Sequence, residues 1–269
     1  MRHYSAAVYA NENLLLTEVL DKLESEFPMM GIKVFGNSLA HTALTTATNE
    51  YDVLPAGMVG DEEILLVLSD PKDDLEVLKN FDGDIVDFTG TFTSEEVYRI
   101  EEPLAYLINA MKTRPEEMEA VAYVPAAVFG KNGIDDMINQ TRELFTFTNN
   151  ENKVFDERLA FNMFFSDKEE GILAGMRKKL EAETGVDADL RLGAVSTGFV
   201  LDVYFKKDVN KEFGNITDMV GFIPTMADIC SKPRPVLISR TRNRVSIAGD
   251  YISLICAQIM DAFKDITGE

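Results

Sequence analysis

The sequence predicts an α/β protein in two parts: a parallel, doubly wound sheet in residues 1–101, completed by a C-terminal helix over 249–269, and an α+β part with long antiparallel strands over 102–248. Three observations predict this. Short apolar runs alternate with helix-period segments as far as Phe88, the pattern of parallel strands joined by helices. Further along, apolar runs follow one another across short turns, as antiparallel strands do. The last segment places Ile252, Ile255, Ile259 and Phe263 on one helical face, free to cover the first sheet.

Ser5–Tyr9 reads as the first strand. Leu16, Val19, Leu20, Leu23 and Phe27 then mark one face of a helix that Pro28 ends. Ile32–Phe35, Glu63–Leu68 and Asp84–Phe88 read as further strands, with a short helix after Pro71 carrying Leu75 and Leu78. Thr89–Glu102 reads as a connector. Pro103 stands where a helix can begin, and Leu104, Leu107, Ile108 and Met111 form its buried face. Ala120–Val128 reads as a strand broken by Pro125, Gly133–Leu144 as a helix and Leu159–Phe165 as extended. Ile172–Leu180 reads as a helix whose end, Arg177-Lys178-Lys179, suits a helix C-terminus. Leu190–Ser196 and Phe199–Lys206 read as paired strands, as do Pro235–Ser239 and Arg244–Ala248 around Thr241-Arg242-Asn243.

The chain has 269 residues, long enough for a core without disulfide or metal staples. With 26 Lys+Arg against 46 Asp+Glu its net charge is −20, which excludes nucleic acid and anionic membrane surfaces as expected partners. No run approaches the length that crosses a bilayer, and the start does not read as a secretory signal, so a cytoplasmic location is expected. Two cysteines, Cys230 and Cys256, make no framework, and two histidines, His3 and His41, make no metal site. No metal is expected.

The turn after the first strand is where a dinucleotide would lie, yet it reads Ala10-Asn11-Glu12-Asn13-Leu14-Leu15-Leu16, without glycine and with an added acid. Gly130-Lys131-Asn132-Gly133 reads as a turn into a helix rather than a phosphate loop. Cys256 reads as a small buried hydrophobe, and Cys230 beside Lys232 has no marked base. The acidic groups Asp61-Glu62-Glu63 and Asp70 to Asp74 read as solvated faces and caps, and His41 as a surface or turn residue.

Four collinear stretches carry a resemblance: AAVYANENLLLTEVLDKLESEFPMMGIKVFGNS; ILLVLSDPKDDLEVLKNFDGDIVDFTGTF; EEPLAYLINAMKTRPEEMEAVAYVPAAVFGKNGIDDMINQTREL; and ERLAFNMFF with STGFVLDVYFKKDV. In this order they resemble the aspartate-semialdehyde dehydrogenase family over most of the chain. The resemblance implies a Rossmann-like domain plus an α+β dimerisation domain, and an NADP-dependent oxidoreductase ancestry. It places the family's GxxGxxG on Ala10, Asn13 and Leu16, its cofactor-phosphate Arg near Ser38 and its cofactor-contacting Asn near Ile255. Its nucleophilic Cys falls near Glu102, the Gln that orients the intermediate on Val124, the substrate-binding Arg on Gly198 and the general-base His near Phe205. All are degenerate, so the chain resembles a Usg-type paralogue, a pseudoenzyme with no catalytic or cofactor-binding set. The expected role is a non-catalytic homodimer acting by protein interaction or regulation, with no cofactor, an unidentified protein partner, and Leu159–Phe165 with Phe199–Phe205 as its apolar face. Two alternatives are an NADP-dependent semialdehyde dehydrogenase or reductase with relocated residues, needing Cys230 or Cys256, and a small-ligand sensor with a pocket rimmed by Asn11, Asn13 and Asp87.

Overall fold

The computed structural model describes residues 3–11, 14–94, 96–148, 154–165, 171, 173–207 and 216–268. Two compact units result: Met1–Glu101 with Ile255–Glu269, and Glu102–Leu254. The division falls inside the last helix rather than ahead of it. Tyr251 belongs to the second unit, where its backbone N–H donates to the Thr197 carbonyl at 2.8 Å.

The first unit is built on a sheet of order β3-β4-β2-β1-β5-β6-β7. Its strands are β1 (Ser5–Tyr9), β2 (Gly31–Phe35), β3 (Ala43–Thr45), β4 (Glu50–Leu54), β5 (Ile64–Val67), β6 (Asp84–Asp87) and β7 (Val97–Arg99). All pair in parallel except the β3–β4 hairpin. β1 is central and Ala6 to Tyr9 are buried, as a strand covered on both faces must be. α1 (Leu16–Glu26) buries Leu16, Val19, Leu20 and Leu23, the stripe its spacing predicts. α2 (Leu75–Leu78) is one turn. The β3–β4 hairpin and β7 were not expected: both are short and carry no apolar run, and β7 lies inside the supposed connector.

The second unit carries a sheet of order β12-β13-β14-β11-β8-β10-β9. Its strands are β8 (Met118–Val124), β9 (Met163–Phe165), β10 (Ala188–Gly193), β11 (Gly198–Phe205), β12 (Thr217–Asp218), β13 (Val236–Arg240) and β14 (Arg244–Asp250). Its helices are α3 (Pro103–Ala110), α4 (Gly130–Thr146), α5 (Ala174–Thr184) and α6 (Met226–Cys230). α7 (Tyr251–Thr267) begins here and ends in the first unit, where Phe263 packs on Phe27 with ring centres 5.8 Å apart.

The β13–β14 hairpin forms as its spacing predicts. β10 and β11 do not pair with each other: β8 lies between them, parallel to β10 and antiparallel to β11. The expected strand at Ala120–Val128 stops at Val124, because Pro125 removes a ladder donor and the chain tightens into a 3-10 turn. Gly130-Lys131-Asn132-Gly133 is the first turn of α4. α5 runs on to Thr184, where Gly185 ends it at φ 71°, so Arg177-Lys178-Lys179 is not its end. Arg177 is buried and pairs instead with Asp187. Of Leu159–Phe165 only the last three residues are strand, since Phe161 turns the chain at φ 61°. The expected helix start at Ile172 lies outside the described residues.

Candidate functional site

Doubly wound sheets hold ligands beyond the carboxyl ends of their strands. At the ends of β1, β2 and β5 this chain carries a polar network of its own. The Tyr9 hydroxyl donates to Asp74 Oδ2 at 2.7 Å, and the Asn37 amide donates to Asp74 Oδ1 at 2.5 Å. The Asn11 amide donates to the Tyr9 oxygen at 2.7 Å, while its Oδ1 accepts the Ser38 N–H at 2.9 Å. Ser69 Oγ accepts the Asn11 N–H at 2.9 Å and donates back to the Asn11 carbonyl at 3.1 Å. Asn37 Oδ1 accepts the Ala56 N–H at 3.2 Å. Burial, then the hydrogen bond to Asp74 and its charge, hold the Tyr9 phenol well above its ordinary range, so it remains a donor. Gly36 makes the close approach possible, because a Cβ there would run into the Ala10 carbonyl.

Of the cofactor positions inferred from the resemblance, Ala10 and Ser38 adjoin this network. Ala10 is buried and donates its N–H to the Phe35 carbonyl at 2.9 Å. Leu16 and Ile255 are buried core residues, and Ser38 touches the network through its backbone. Asn13, with Glu12, lies outside the described residues. Asp87 does not rim a pocket. It is fully buried, and its carboxylate accepts from the Thr89 N–H and hydroxyl at 2.7 Å each and from the Phe92 N–H at 2.9 Å. Nor are the acidic groups wholly solvated: Glu62 is buried against Lys33 at 2.8 Å, and Asp74 turns inward. His41 is an exposed turn residue at φ 65°.

The second unit opens on Glu102. Its Oε2 accepts the Leu104 N–H at 2.8 Å and the Ala105 N–H at 3.0 Å, capping α3 ahead of Pro103. The Tyr251 hydroxyl lies beside this carboxyl, while Oε1 is buried with no hydrogen-bond partner. Burial raises the Glu102 pKa to about 7, more than the two amides and Tyr251 lower it. Val124 and Phe205 are buried, and a Cβ at Gly198 would press on Met226 at 2.5 Å. Val124, Gly198 and Phe205 thus offer no titratable or nucleophilic side chain, and Glu102 caps α3. Cys256 is buried. Cys230 is half-buried, and burial, with the charge of Asp250, pushes its thiol up to about 11, the reverse of an activated nucleophile.

In the second unit a cavity of about 520 Å³ lies along α4, lined by residues including Asn132, Asp135, Asn139 and Arg142. Among the described residues no group of three His, Cys, Asp or Glu side chains can hold a metal ion, and no helix is long and apolar enough to cross a membrane. Sequence reasoning missed the Tyr9–Asp74 and Glu102–Tyr251 pairs. Each joins residues far apart in the chain, and no local spacing signals them.

No protein-family model and no curated protein matches the sequence. Solved structures do match. Aspartate semialdehyde dehydrogenase II from Vibrio cholerae superposes with a TM-score of 0.80 at 13% identity, over 98% of this chain and 99% of the other. This chain has the two-domain fold of the semialdehyde dehydrogenases. A probable aspartate-semialdehyde dehydrogenase from Pseudomonas aeruginosa gives 0.78 at 14% identity, again over 98% and 99%. The enzyme from Francisella tularensis gives 0.69 at 11% identity, over 97% of this chain and 100% of its own. The semialdehyde-dehydrogenase fold is therefore kept at an identity that carries the architecture alone, as the collinear stretches implied.

Proposed function

We propose that this chain is a non-catalytic homodimer on the semialdehyde-dehydrogenase fold, acting through protein interaction or regulation. One observation carries the reading: the positions where the resemblance puts reactive groups hold Glu102, Val124, Gly198 and Phe205, which are spent on capping and packing. The family reaction needs a thiolate to attack an aldehyde, a base to handle protons and a hydride acceptor alongside. These four residues offer neither sulfur nor imidazole. A dinucleotide does not fit the strand ends either. Their backbone donors at Ala10, Asn11 and Ser38 already serve internal acceptors, and the buried Asp74 carboxylate opposes a pyrophosphate. The enzyme alternative needs a reactive thiol, which the raised Cys230 and buried Cys256 disfavour.

A second copy is the partner that the second sheet suggests. In β8 the residues Met118, Ala120, Ala122 and Val124 are buried, while Glu119, Val121 and Tyr123 face the other way. On that outward face Arg191 donates to the Tyr123 hydroxyl at 2.7 Å and lies over the Tyr123 and Phe165 rings at 5.3 and 5.6 Å. Tyr204 and Phe165 are exposed there. Aromatic and Arg residues on a sheet face are what interface cores favour. The apolar face differs from the expected one: Phe199, Leu201, Val203 and Phe205 point into the core, as do Leu159 and Ala160.

Calorimetric titration with NADPH is expected to show no saturable binding up to about 1 mM, far weaker than a resident cofactor. Light scattering after gel filtration is expected to give twice the chain mass of 30.0 kDa. Micromolar NADPH binding would restore the enzyme reading, and a monomer would remove the dimer.

A further inference from the structure

The second unit gathers positive charge at one end, in a chain with 46 acids against 26 bases. Between Asp228 and Asp250 stand Lys232, Arg234, Arg240, Arg242 and Arg244, and not one Asp or Glu. The fold puts the last three at the tip of the β13–β14 hairpin, with Arg240 and Arg242 exposed. The Phe205 N–H donates to the Asn243 carbonyl at 2.8 Å, so Lys206 and Lys207, both exposed, leave β11 beside that tip. The carboxyls in register with these strands are Glu119, level with Tyr204, and Asp202, level with Ser246, while Glu117 is paired with Lys207 at 2.5 Å. Cations therefore outnumber acids here among the described residues. Arg244 donates to Ser239 Oγ at a long 3.4 Å, and its Nε is buried with no hydrogen-bond partner. A second observation falls at the same end. β12 runs parallel to β13, with Asp218 level with Leu237, and the Met219 N–H donates to the Leu237 carbonyl at 2.9 Å. The chain that follows thus leaves the sheet at the Arg240 end of β13. It carries Val220, Phe222 and Ile223, exposed at 43%, 72% and 100%. Large apolar side chains held in water beside a cluster of arginines are the composition of a partner surface.

We propose that the β13–β14 tip and residues 220–223 form a docking surface for an acidic segment of a partner protein, one that alternates carboxylates with large apolar side chains. Guanidinium groups pair with carboxylates through two N–H donors at once, and the apolar trio covers the segment's hydrophobic side chains. Charge decides the occupant. Duplex nucleic acid or an anionic bilayer spreads past the tip and meets the acids that give the chain its net charge of −20, whereas a short acidic segment meets the cations alone. A second copy docked tip to tip brings the same cations against these. The proposal rests on the reading that this chain acts through protein interaction, and it names the surface.

A fluorescein-labelled peptide that alternates glutamate with leucine and phenylalanine, titrated with the full chain at low salt, is expected to bind with a Kd on the order of 10 μM by fluorescence anisotropy. Salt at about 0.5 M should weaken it about tenfold. Arg240→Glu combined with Arg242→Glu should weaken it about tenfold, and Phe222→Ser combined with Ile223→Ser about fivefold. All four side chains are exposed, so circular dichroism should show both variants folded. A charge-reversed chain that binds the peptide as tightly as the unaltered one overturns the proposal, as do duplex DNA or phosphatidylserine vesicles that bind more tightly than the peptide. So does a charge-reversed chain that falls to half the mass of the unaltered one, because the tip then belongs to a contact between copies. Titration with NADPH keeps the two readings apart. A chain that binds neither peptide nor NADPH loses the surface and keeps the non-catalytic reading, and one that binds both keeps the surface and loses that reading.

Discussion

Both units bury a carboxyl beside a tyrosine, and the two pairs are finished differently. In the first unit each oxygen of Asp74 has a donor, Tyr9 on one and Asn37 on the other. In the second, one oxygen of Glu102 takes two amides and the other takes none. A satisfied buried acid acts as a fastener. An unsatisfied one keeps a reason to hold its proton, because burial disfavours charge that hydrogen bonds do not offset. The contrast gives the two units different characters. Internal bonds lock the strand ends of the first sheet, while the start of the second unit keeps a carboxyl whose pKa burial raises to about 7.

The contrast can be broken most sharply at Asp74. Asp74→Ala leaves the buried Tyr9 hydroxyl without its acceptor and frees the Asn37 amide, and urea unfolding should show a loss of about 3 kcal/mol. Loss within about 0.5 kcal/mol would mean the network is not a fastener. Glu102→Gln tests the other half. The Glu102 pKa is raised in the folded chain, so its stabilisation is complete below about 4.5 and is lost as pH rises through about 7. The variant should remove a decline on the order of 2–3 kcal/mol between pH 5 and 8, read from unfolding midpoints.

Gly36→Ala sharpens the comparison by moving backbone. Its methyl group would meet the Ala10 carbonyl, and a loss of about 2 kcal/mol in thermal or urea unfolding is expected. The smallest effect lies at Glu24, which clips α1 to the β3–β4 hairpin. Burial alone would raise its pKa, but the hydroxyls of Thr48, Tyr51 and Thr46 hold it down to about 2. Its contribution is therefore present above about 4.5 and lost as pH falls toward 2. Because the site is close to solvent, Glu24→Ala should cost only about 1 kcal/mol at pH 7 and flatten the acid limb of the stability profile.

Local pattern is legible wherever one face of an element is buried. The apolar spacing from Leu16 to Leu23 is the buried stripe of α1, and Ser5–Tyr9 is β1 to the residue. The hairpin of β13 and β14 is equally legible, since neighbouring strands across a short turn need only local chain. The β3–β4 hairpin is not, because its strands are short and mostly exposed, with only Val53 buried. Of the candidate site only the letters were legible: no glycine stands around Ala10, and an acid stands at Glu102. The buried polar groups were not legible, for Asp87 and Asp74 look like surface acids until the fold turns them inward.

By itself, then, the sequence determined the alternation of strands and helices, the two-part division and the lack of a glycine-lined phosphate turn, because these depend on side-chain size and spacing along the chain. Only the tertiary structure decided that β8 separates β10 from β11, that Tyr9 meets Asp74 and that Glu102 meets Tyr251. Strand order and the partners of buried polar groups follow from which distant segments pack together, and it is the solvent excluded by that packing that sets the charge of an acid such as Glu102.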